Sequence, residues 1–360
     1  MIAVMRERAT HILFRGRTCA AIGAQVRGLD EAMGDALMRT IPIILIVLAT
    51  FTLGPAQKHT TPDGQLRVAL VKQPFSPTGT SAGPNTMANG GVQEILARMN
   101  TVVRVDEVGL TPAELTEYGA WKKLGWALGH FSEIVARNEQ DGYFTVGLLA
   151  TCPSMPGLVA GLQRSGTNGK PLKVGMLWLD AHPDFNTPET TRSGSLGGMP
   201  VAVATGRALQ RMRMDAHLNP PLADEQVVMA AVRLVDPLEQ DLLNQSKIQQ
   251  LSVDDVRKLT PAVFAQLDRL SKITDKLYIH IDMDVLDPRE VMGHGNKVPN
   301  GPSSDQLARL FEEIFKRYPK ASAIGFATIP PTDEGGLSIA ALNRMIEGAI
   351  RGLKARPSGP

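Results

Sequence analysis

Residues 177–184 read LWLDAHPD, in which three candidate metal ligands follow an apolar, strand-like run at alternate positions. Side chains two residues apart on an extended backbone point in the same direction, so Asp180, His182 and Asp184 are expected to converge on one cation. A second copy of the pattern, YIHIDMDVLDP, occupies residues 278–288. Two strand ends that each deliver alternate carboxylates predict a carboxylate-rich site with room for two divalent ions.

The two motifs together carry four aspartates that are expected to lie close together: Asp180, Asp184, Asp282 and Asp284. Clustered carboxylates repel one another and raise one another's pKa, and bound cations remove that repulsion. Mostly oxygen donors with one imidazole favour Mn²⁺, with Fe²⁺, Co²⁺ or Zn²⁺ as alternatives. In the alternative interpretation, Asp180 and Asp184 cap the loop that follows them and Asp287 begins a simple turn. The presence of both motifs favours metal binding.

The composition is that of a globular protein with a sizeable core. The chain has 360 residues, of which 43% are hydrophobic, and residues 66–360 are predicted to form one large α/β domain. The formal net charge is only +2, and no basic stripe is interleaved with aromatic residues. We therefore expect a small-molecule substrate and no nucleic-acid partner.

The N-terminal region is typical of a secretory signal peptide. Residues 41–53 form an apolar run of about 13 residues, shorter than the roughly 20 that a membrane-spanning helix needs. Arg39 precedes the run, and the small residues of Gly54-Pro55-Ala56 follow it, as at a signal peptidase site. We interpret residues 1–56 as the signal peptide region and residues 57–65 as a linker.

This interpretation predicts a secreted or periplasmic protein without stable membrane insertion after the leader is removed. Met38 is an alternative start, which would make residues 1–37 an over-extended N-terminus. A buried first strand and a membrane anchor are the alternative interpretations of the apolar run. Loss of the leader would also remove Cys19 and leave Cys152 without a partner for a disulfide.

Short β-rich runs alternate with helical patterns along the rest of the chain. Strands are predicted at residues 66–71, 101–105, 143–149, 173–179, 227–232, 276–281 and 321–328. Helices are predicted at 92–99, 111–138, 155–164, 237–245, 261–273, 304–318 and 338–353, and Ser303 with Gln306 forms a capping box. This alternation predicts a parallel sheet that helices cover on both faces, with ligands beyond the carboxyl ends of the strands. The Pro/Gly-rich stretches 75–91 and 293–304 are expected to be loops that wall the site.

Both motifs resemble signatures of the arginase/agmatinase (ureohydrolase) superfamily. Residues 180–194, DAHPDFNTPETTRSG, resemble its second signature, and residues 280–288, HIDMDVLDP, resemble its third. The resemblance extends from about Leu66 to Leu353. It implies an arginase-like, three-layer α/β/α fold with a central parallel sheet. It also implies a binuclear manganese centre in active members and assembly into a homo-oligomer.

When the family's metal ligands are carried over by position, the resemblance implies a metal-binding role for each acidic motif. Asp180 and Asp282 would bridge both ions. His182 and Asp284 would complete one metal site, and Asp184 would serve the other. In the family, a metal-bound hydroxide attacks the guanidinium carbon of the substrate.

The same resemblance implies residues that bind the far end of the substrate. Asn186 and Ser193 match positions that hold the α-carboxylate in arginases. Asp236, within RLVDPLE at residues 233–239, matches the aspartate that faces the α-amino group.

Four positions depart from the family pattern. Cys152, in LATCP at residues 149–153, replaces a histidine ligand, so it is either a thiolate ligand or a buried neutral thiol. Gly197 replaces a histidine that has been proposed as a proton shuttle. Ala327 aligns with the glutamate that pairs with guanidinium. His280 replaces a serine, where it either orients a ligand or fills the sheet.

These departures leave three hypotheses. In the first, the protein is a metal-dependent hydrolase of the ureohydrolase type, which cleaves a C–N bond of a guanidino or amide-like small molecule. His294, on the Gly-rich loop, would then replace the lost proton shuttle beside Asp180 and Asp282; in the alternative interpretation, it is an exposed histidine on a surface loop. The second hypothesis is a catalytically impaired arginase-like protein that binds a ligand or a partner. The third is a mononuclear, deacetylase-like hydrolase in which Asp180, His182 and Asp282 hold one Zn²⁺.

Overall fold

The computed structural model describes residues 59–357 except Pro62, so the predicted signal peptide region, residues 1–56, lies outside the described residues. The strands are β1 (Leu66–Gln73), β2 (Phe75–Ser76), β3 (Gly79–Thr80), β4 (Thr101–Glu107), β5 (Phe144–Leu149), β6 (Val174–Leu179), β7 (Val227–Ala230), β8 (Gln249–Leu251), β9 (Lys276–Asp282) and β10 (Ala321–Ala327). The helices are α1 (Gly83–Met87), α2 (Gln93–Arg98), α3 (Pro112–Thr116), α4 (Ala120–Gln140), α5 (Met155–Arg164), α6 (Pro200–Ala204), α7 (Gln210–Asp215), α8 (Pro237–Gln245), α9 (Val253–Lys258), α10 (Pro261–Ile273), α11 (Ser304–Arg317) and α12 (Leu337–Lys354).

Eight of the strands form one sheet in the order β4-β1-β5-β10-β9-β6-β7-β8. Every neighbouring pair in this sheet is parallel. The strands β2 and β3 form a separate antiparallel hairpin. Helices lie on both faces, which confirms the predicted three-layer α/β/α architecture.

Each face of the sheet has its own apolar core. Side chains of α2, α10, α11 and α12 pack on one face, and those of α4, α5, α6 and α7 pack on the other. Every residue of β5, β6, β9 and β10 is buried. A parallel sheet that is covered on both sides requires such continuous apolar strands, and this is why their sequences were recognisable.

Some predicted elements differ from the structure for local reasons. The predicted helix 111–138 is divided into α3 and α4 at Gly119, whose φ of 103° a helix cannot contain. The predicted loop 75–91 contains β2, β3 and α1 instead. The edge strand β8 was not predicted, because Gln249 and Gln250 are exposed polar residues and leave no apolar run to recognise. The predicted capping box of Ser303 and Gln306 is present at the start of α11.

The described part of the predicted linker lies against the sheet. His59 is buried and its ring contacts Phe144 edge-on at 5.8 Å between centroids. The backbone N–H of Arg67 donates to His59 O at 2.7 Å. Across residues 59–357, no helix has both the length and the apolar character that crossing a bilayer requires.

Candidate metal centre and substrate pocket

The candidate site lies at the carboxyl ends of four adjacent strands, β5, β10, β9 and β6. Asp180 follows β6, Asp282 ends β9, and these two strands pair in parallel register. A 3₁₀ turn, Cys152–Ser154, follows β5, and Thr328 follows β10. The sheet therefore brings residues that are far apart in sequence to one edge, where parallel sheets usually bind ligands.

A cavity of about 380 Å³ opens over these strand ends. Its wall contains most of the predicted site residues: Cys152, His182, Asp184, Asn186, Ser193, Asp236, Asp282 and Asp284. Asp180 lies beneath the wall and is only 1% exposed. The structure thus brings the predicted metal ligands and the predicted substrate-binding residues together.

Three groups of donor atoms are compact enough to hold an ion, each with its atoms within 4.8 Å of one another. They are Cys152 with Asp180 and Asp282, Asp180 with His182 and Asp284, and Asp282 with Asp284 and His294. Asp180 is common to the first two groups. Asp184 belongs to none of the three, although its side chain lines the same cavity.

Backbone N–H groups fix the orientation of the carboxylates. His182 N donates to Asp180 Oδ1 at 2.7 Å, and Asp284 N donates to Asp282 Oδ1 at 3.0 Å. Asp180 Oδ2 is buried and has no hydrogen-bond partner among the described residues. A buried carboxylate oxygen without a donor is costly, and a cation would satisfy it. The donor set therefore fits a divalent ion.

The electrostatics of the cluster also fit a cation. Burial and the neighbouring carboxylates raise the pKa of Asp180 and of Asp184 well above the usual value. Burial, together with Asp284, raises the pKa of Asp282 to about 6. Burial opposes the charged form of His182, but the hydrogen bonds that its ring donates to the carboxylates of Asp180 and Asp284 outweigh burial and raise its pKa to about 11. The protein without a cation must hold protons where metal ions would otherwise supply positive charge.

Cys152 lies in a polar environment although it is buried. Its Sγ donates to Asp282 Oδ2 at 2.8 Å and lies 3.3 Å from His280 Nε2. Burial, then Asp282, raises the pKa of the Cys152 thiol well above its usual value. Burial lowers the pKa of His280 to about 3, so His280 is a neutral hydrogen-bonding group. His280 therefore contacts a candidate ligand directly rather than only filling the sheet.

His294 is buried at the site rather than exposed on its loop. It is 4% exposed, and its Nε2 lies 3.6 Å from Asp282 Oδ1. Asn296 N donates to His294 Nδ1 at 3.2 Å, which assigns the proton of the neutral ring to Nε2. Nε2 then carries a hydrogen and is not free to bind a metal ion, and it has no hydrogen-bond partner among the described residues. We therefore regard the group of Asp282, Asp284 and His294 as the least suited of the three to hold an ion.

Arg233 holds the loop that carries His294 in place, and no sequence motif predicts this role. Its guanidinium donates to Asp284 O at 3.1 Å, to Val298 O at 2.9 Å and to Pro299 O at 2.9 Å. Its backbone N–H donates to Ala181 O at 2.9 Å. The guanidinium and the backbone N–H of Arg233 together connect segments that follow β6, β7 and β9.

The predicted substrate-binding residues form a polar wall. Asn186 Nδ2 donates to Asp236 Oδ2 at 3.4 Å, and Ser193 also faces the cavity. Glu239 was not predicted, but it lines the cavity and accepts from Phe185 N at 2.7 Å. The Asp236-x-x-Glu239 spacing at the start of α8 was the available signal, since it matches a helix N-terminus. Among the described residues, no lysine or arginine lines this cavity.

The prediction that Ala327 faces the substrate is wrong. Ala327 is fully buried in the core, because the last residue of β10 points into the face that α4 and α5 cover. The side chain that faces the cavity is Thr328, at φ 61°, and its hydroxyl donates to Asp282 Oδ2 at 2.9 Å. The position still lacks a carboxylate. Gly197 does line the cavity and leaves its part of the wall without a side chain.

The fold and the site together define an α/β protein with a candidate metal centre at the edge of a parallel sheet. A sequence profile of the Arginase family matches residues 152–348, which is more than half of the chain. The chain belongs to the arginase family. Members of this family are hydrolases that depend on divalent metal ions, typically Mn²⁺.

Individual relatives agree with this assignment. The arginase of Agrobacterium fabrum (strain C58 / ATCC 33970) is 30% identical over 284 residues, which cover 76% of this chain and 86% of that protein. The arginase of Entamoeba histolytica is 31% identical over 147 residues, which cover 40% of this chain and 48% of that protein. The crystal structure of the arginase from Bacillus caldovelox matches 79% of this chain and 98% of its own, with a TM-score of 0.69 and 24% identity. This match confirms the fold.

Proposed function

We propose that this chain is a divalent-metal-dependent hydrolase that cleaves a C–N bond in a guanidino or amide-like small molecule. The observation that carries the proposal is the position of Asp180 in two neighbouring donor groups. One group pairs it with Cys152 and Asp282, and the other with His182 and Asp284. A carboxylate that two groups share is what a pair of adjacent ions requires.

The chain's own residues would hold the ions and balance their charge. Asp180 would help to hold both ions, since it belongs to two donor groups and its Oδ2 has no hydrogen-bond donor within the described part of the chain. Asp282 would be a second carboxylate that holds the ions, because it belongs to the Cys152 group and lies beside Asp284. Asp184 would enter the Cys152 side of the centre. When bound, divalent ions supply Lewis acidity and a water of lowered pKa.

The charge of the cavity favours a substrate with a positively charged group. Asp236 and Glu239 at the start of α8 face the cavity in addition to the aspartates of the centre. Clustered carboxylates in a described lining that contains no lysine or arginine attract and orient a cation. Asp236 and Glu239 would therefore bind an amino group of the substrate, and Asn186 and Ser193 would hydrogen-bond its polar end.

His294 would deliver a proton to the leaving nitrogen as an imidazolium and become the neutral imidazole, because a neutral imidazole is too weak an acid for this step. Its Nε2 lies 3.6 Å from Asp282 Oδ1, at the candidate metal centre. Arg233 holds the loop that presents it. A positioned donor of this kind contributes to breaking a C–N bond, because an amine leaves more readily when it is protonated.

The location and assembly of the protein are also proposals. The apolar run at residues 41–53 with its small-residue exit supports export to a secreted or periplasmic location. Homo-oligomer formation rests on the family resemblance alone.

The decisive experiment is metal analysis of the purified protein, followed by a screen of guanidino and amide compounds for release of urea or ammonia. Two ions per chain with turnover of at least one compound would support the proposal. One ion per chain would favour the mononuclear alternative instead. No bound ion and no turnover after incubation with Mn²⁺, Co²⁺ and Zn²⁺ would favour the ligand-binding alternative and overturn the proposal.

A further inference from the structure

We infer that Cys152 binds one ion of the centre through Sγ. His280, which Tyr278 holds in position, hydrogen-bonds this sulfur. The half of the centre that contains Cys152 therefore selects thiophilic ions such as Zn²⁺ or Co²⁺ over Mn²⁺. The inference rests on the proposed metal centre but not on catalytic turnover. It concerns which ion the Cys152 side, the donor group of Cys152, Asp180 and Asp282, holds and which residues hydrogen-bond the sulfur.

Two observations make the Cys152 side a site rather than an isolated buried thiol. Cys152 Sγ lies 2.8 Å from Asp282 Oδ2, within a group of donor atoms that also includes Asp180. Independently, Asp180 is 1% exposed and its Oδ2 lacks a hydrogen-bond partner anywhere in the described ranges. Both features are explained by an ion that binds sulfur and two carboxylates.

A chain of buried polar groups positions a hydrogen-bond donor against the sulfur of Cys152. His280 Nε2 lies 3.3 Å from Cys152 Sγ, and Tyr278 OH lies 2.7 Å from His280 Nδ1. Trp178 stacks on the His280 ring at 4.0 Å and 6° between planes, which fixes the orientation of the ring. When the sulfur is a metal-bound thiolate it can only accept, so Nε2 donates to it and the Tyr278 hydroxyl donates to Nδ1. The geometry satisfies this arrangement without moving a side chain.

The choice of ion follows from the donors. A thiolate is a soft ligand that favours Zn²⁺ and related ions, whereas carboxylate and imidazole donors also suit Mn²⁺. Binding forms a bond between Sγ and the ion in place of the S–H bond, and the proton is released to solvent. The His182 side, with its imidazole and carboxylates, has no such preference for thiophilic ions.

The inference can be tested by adding Co²⁺ to the full-length protein after chelation and recording the near-ultraviolet charge-transfer band that a cobalt–thiolate bond produces. Cys152→Ser should lose this band. Cys19→Ser is the matched control and should keep it, since Cys19 is the other cysteine of the chain. Loss of the band in Cys19→Ser, or its retention in Cys152→Ser, would overturn the inference.

His280→Phe tests the positioning role, because it keeps an aromatic ring against Trp178 and removes the hydrogen bond. The band should move to longer wavelength, and Co²⁺ affinity should fall by about tenfold or more, as for other lost partners of metal ligands. Tyr278→Phe should shift the band in the same direction by a smaller amount. An unchanged band in both variants would overturn this role.

Two further outcomes distinguish failure of the inference from failure of the proposed function. Two Co²⁺ ions per chain without a charge-transfer band would overturn the inference and leave the hydrolase proposal intact. A band that depends on Cys152, without turnover of any substrate, would support the inference and overturn the proposed function. Cys152→His should lower the preference for Zn²⁺ over Mn²⁺, as measured by metal content after competition, and an unchanged preference would count against the inference.

Discussion

The hydroxyl of Thr328 donates to Asp282 Oδ2 at 2.9 Å and places a neutral group beside the candidate metal centre. A glutamate in this part of the site would instead pair with a guanidinium group. Leaving a buried charge without its partner costs about 3–5 kcal/mol. The unmodified protein should therefore turn over L-arginine poorly, and efficient release of urea from L-arginine would contradict the proposed substrate preference.

Replacing Thr328 by Glu should improve turnover of L-arginine. Thr328 has φ 61°, a conformation that is strained for a β-branched residue, so Glu adds no backbone cost. Recovery of only about 1.4 kcal/mol in the transition state would raise kcat/KM about tenfold. Urea release at saturating and limiting L-arginine is the measurement.

The matched control is Ala327→Glu, one residue earlier. Ala327 is fully buried in the core, so a glutamate there should lower the thermal midpoint of unfolding and leave turnover of arginine no better. Improvement by Ala327→Glu, but not by Thr328→Glu, would show that residue 327, and not residue 328, faces the substrate.

Replacing Asp282 by Asn should abolish turnover of any substrate that the screen identifies. A neutral amide cannot balance the charge of two ions, although its shape disturbs little packing at the end of β9. Asp287→Asn is the control, because Asp287 lies outside the donor groups and pairs with Arg289 at 2.9 Å. It should retain both metal content and activity. Full activity of Asp282→Asn would refute the site, whereas loss of folding by circular dichroism would make Asp180→Asn the variant to measure.

The sequence was sufficient to predict seven of the eight strands of the central sheet, because the inner strands are largely apolar and two of them, β6 and β9, lead into carboxylates. Leu179 followed by Asp180, and Ile281 followed by Asp282, are signals that a packed parallel sheet imposes. The short helices α6 and α7 were not predicted, since five or six residues are too few to establish a helical period.

The site was predictable only where motif residues themselves carry the chemistry. Asp180 and His182 were found because they are spaced as ligands. Thr328 was not found, because whether residue 327 or 328 faces the cavity depends on the left-handed turn after β10. The contact of His280 with Cys152 joins residues 128 positions apart, and no local pattern reports such a distance.

The stability of the metal-free protein should fall as the pH rises. Asp282 has a pKa of about 6 in the folded protein, above its value of about 3.9 in the unfolded chain, so the folded state binds more protons between about pH 4 and 6. The pKa of His182 is also raised, to about 11, so its contribution to the free energy of unfolding likewise decreases as the pH rises, from about pH 6.5 upwards. The pKa of Asp284 is lowered, so its contribution to the free energy of unfolding increases with pH instead, but this change occurs only below about pH 4.

Divalent ions should therefore stabilise the protein more at pH 8 than at pH 5, since they replace the missing protons and bind deprotonated ligands. The thermal midpoint of unfolding, with chelator and with Mn²⁺ at both values, measures this. An equal shift at pH 5 and pH 8 would argue against binding at the buried carboxylates.

The leader prediction expects a mature chain that begins near Gln57 and is found outside the cytoplasm. N-terminal sequencing of the native protein is the test. Leu45→Arg should block export, because a charge in the middle of the apolar run opposes its insertion by the secretion machinery. Recovery of an intact chain from Met1 in the cytoplasm would refute the prediction.

Titration of the chelated protein with Mn²⁺ should show two unequal affinities or only one bound ion. The group of Asp180, His182 and Asp284, with Asp282 beside it, offers imidazole and carboxylate donors that suit Mn²⁺, whereas the other side offers the sulfur of Cys152. The first ion should bind at least about tenfold more tightly, and His182→Ala should remove this tighter step. Cys152→Ser should leave the tighter step unchanged in calorimetry, because Cys152 does not belong to that group. Two equivalent tight Mn²⁺ sites would mean that Cys152 weakens neither half of the centre, and the distinction between its two sides would have to be abandoned.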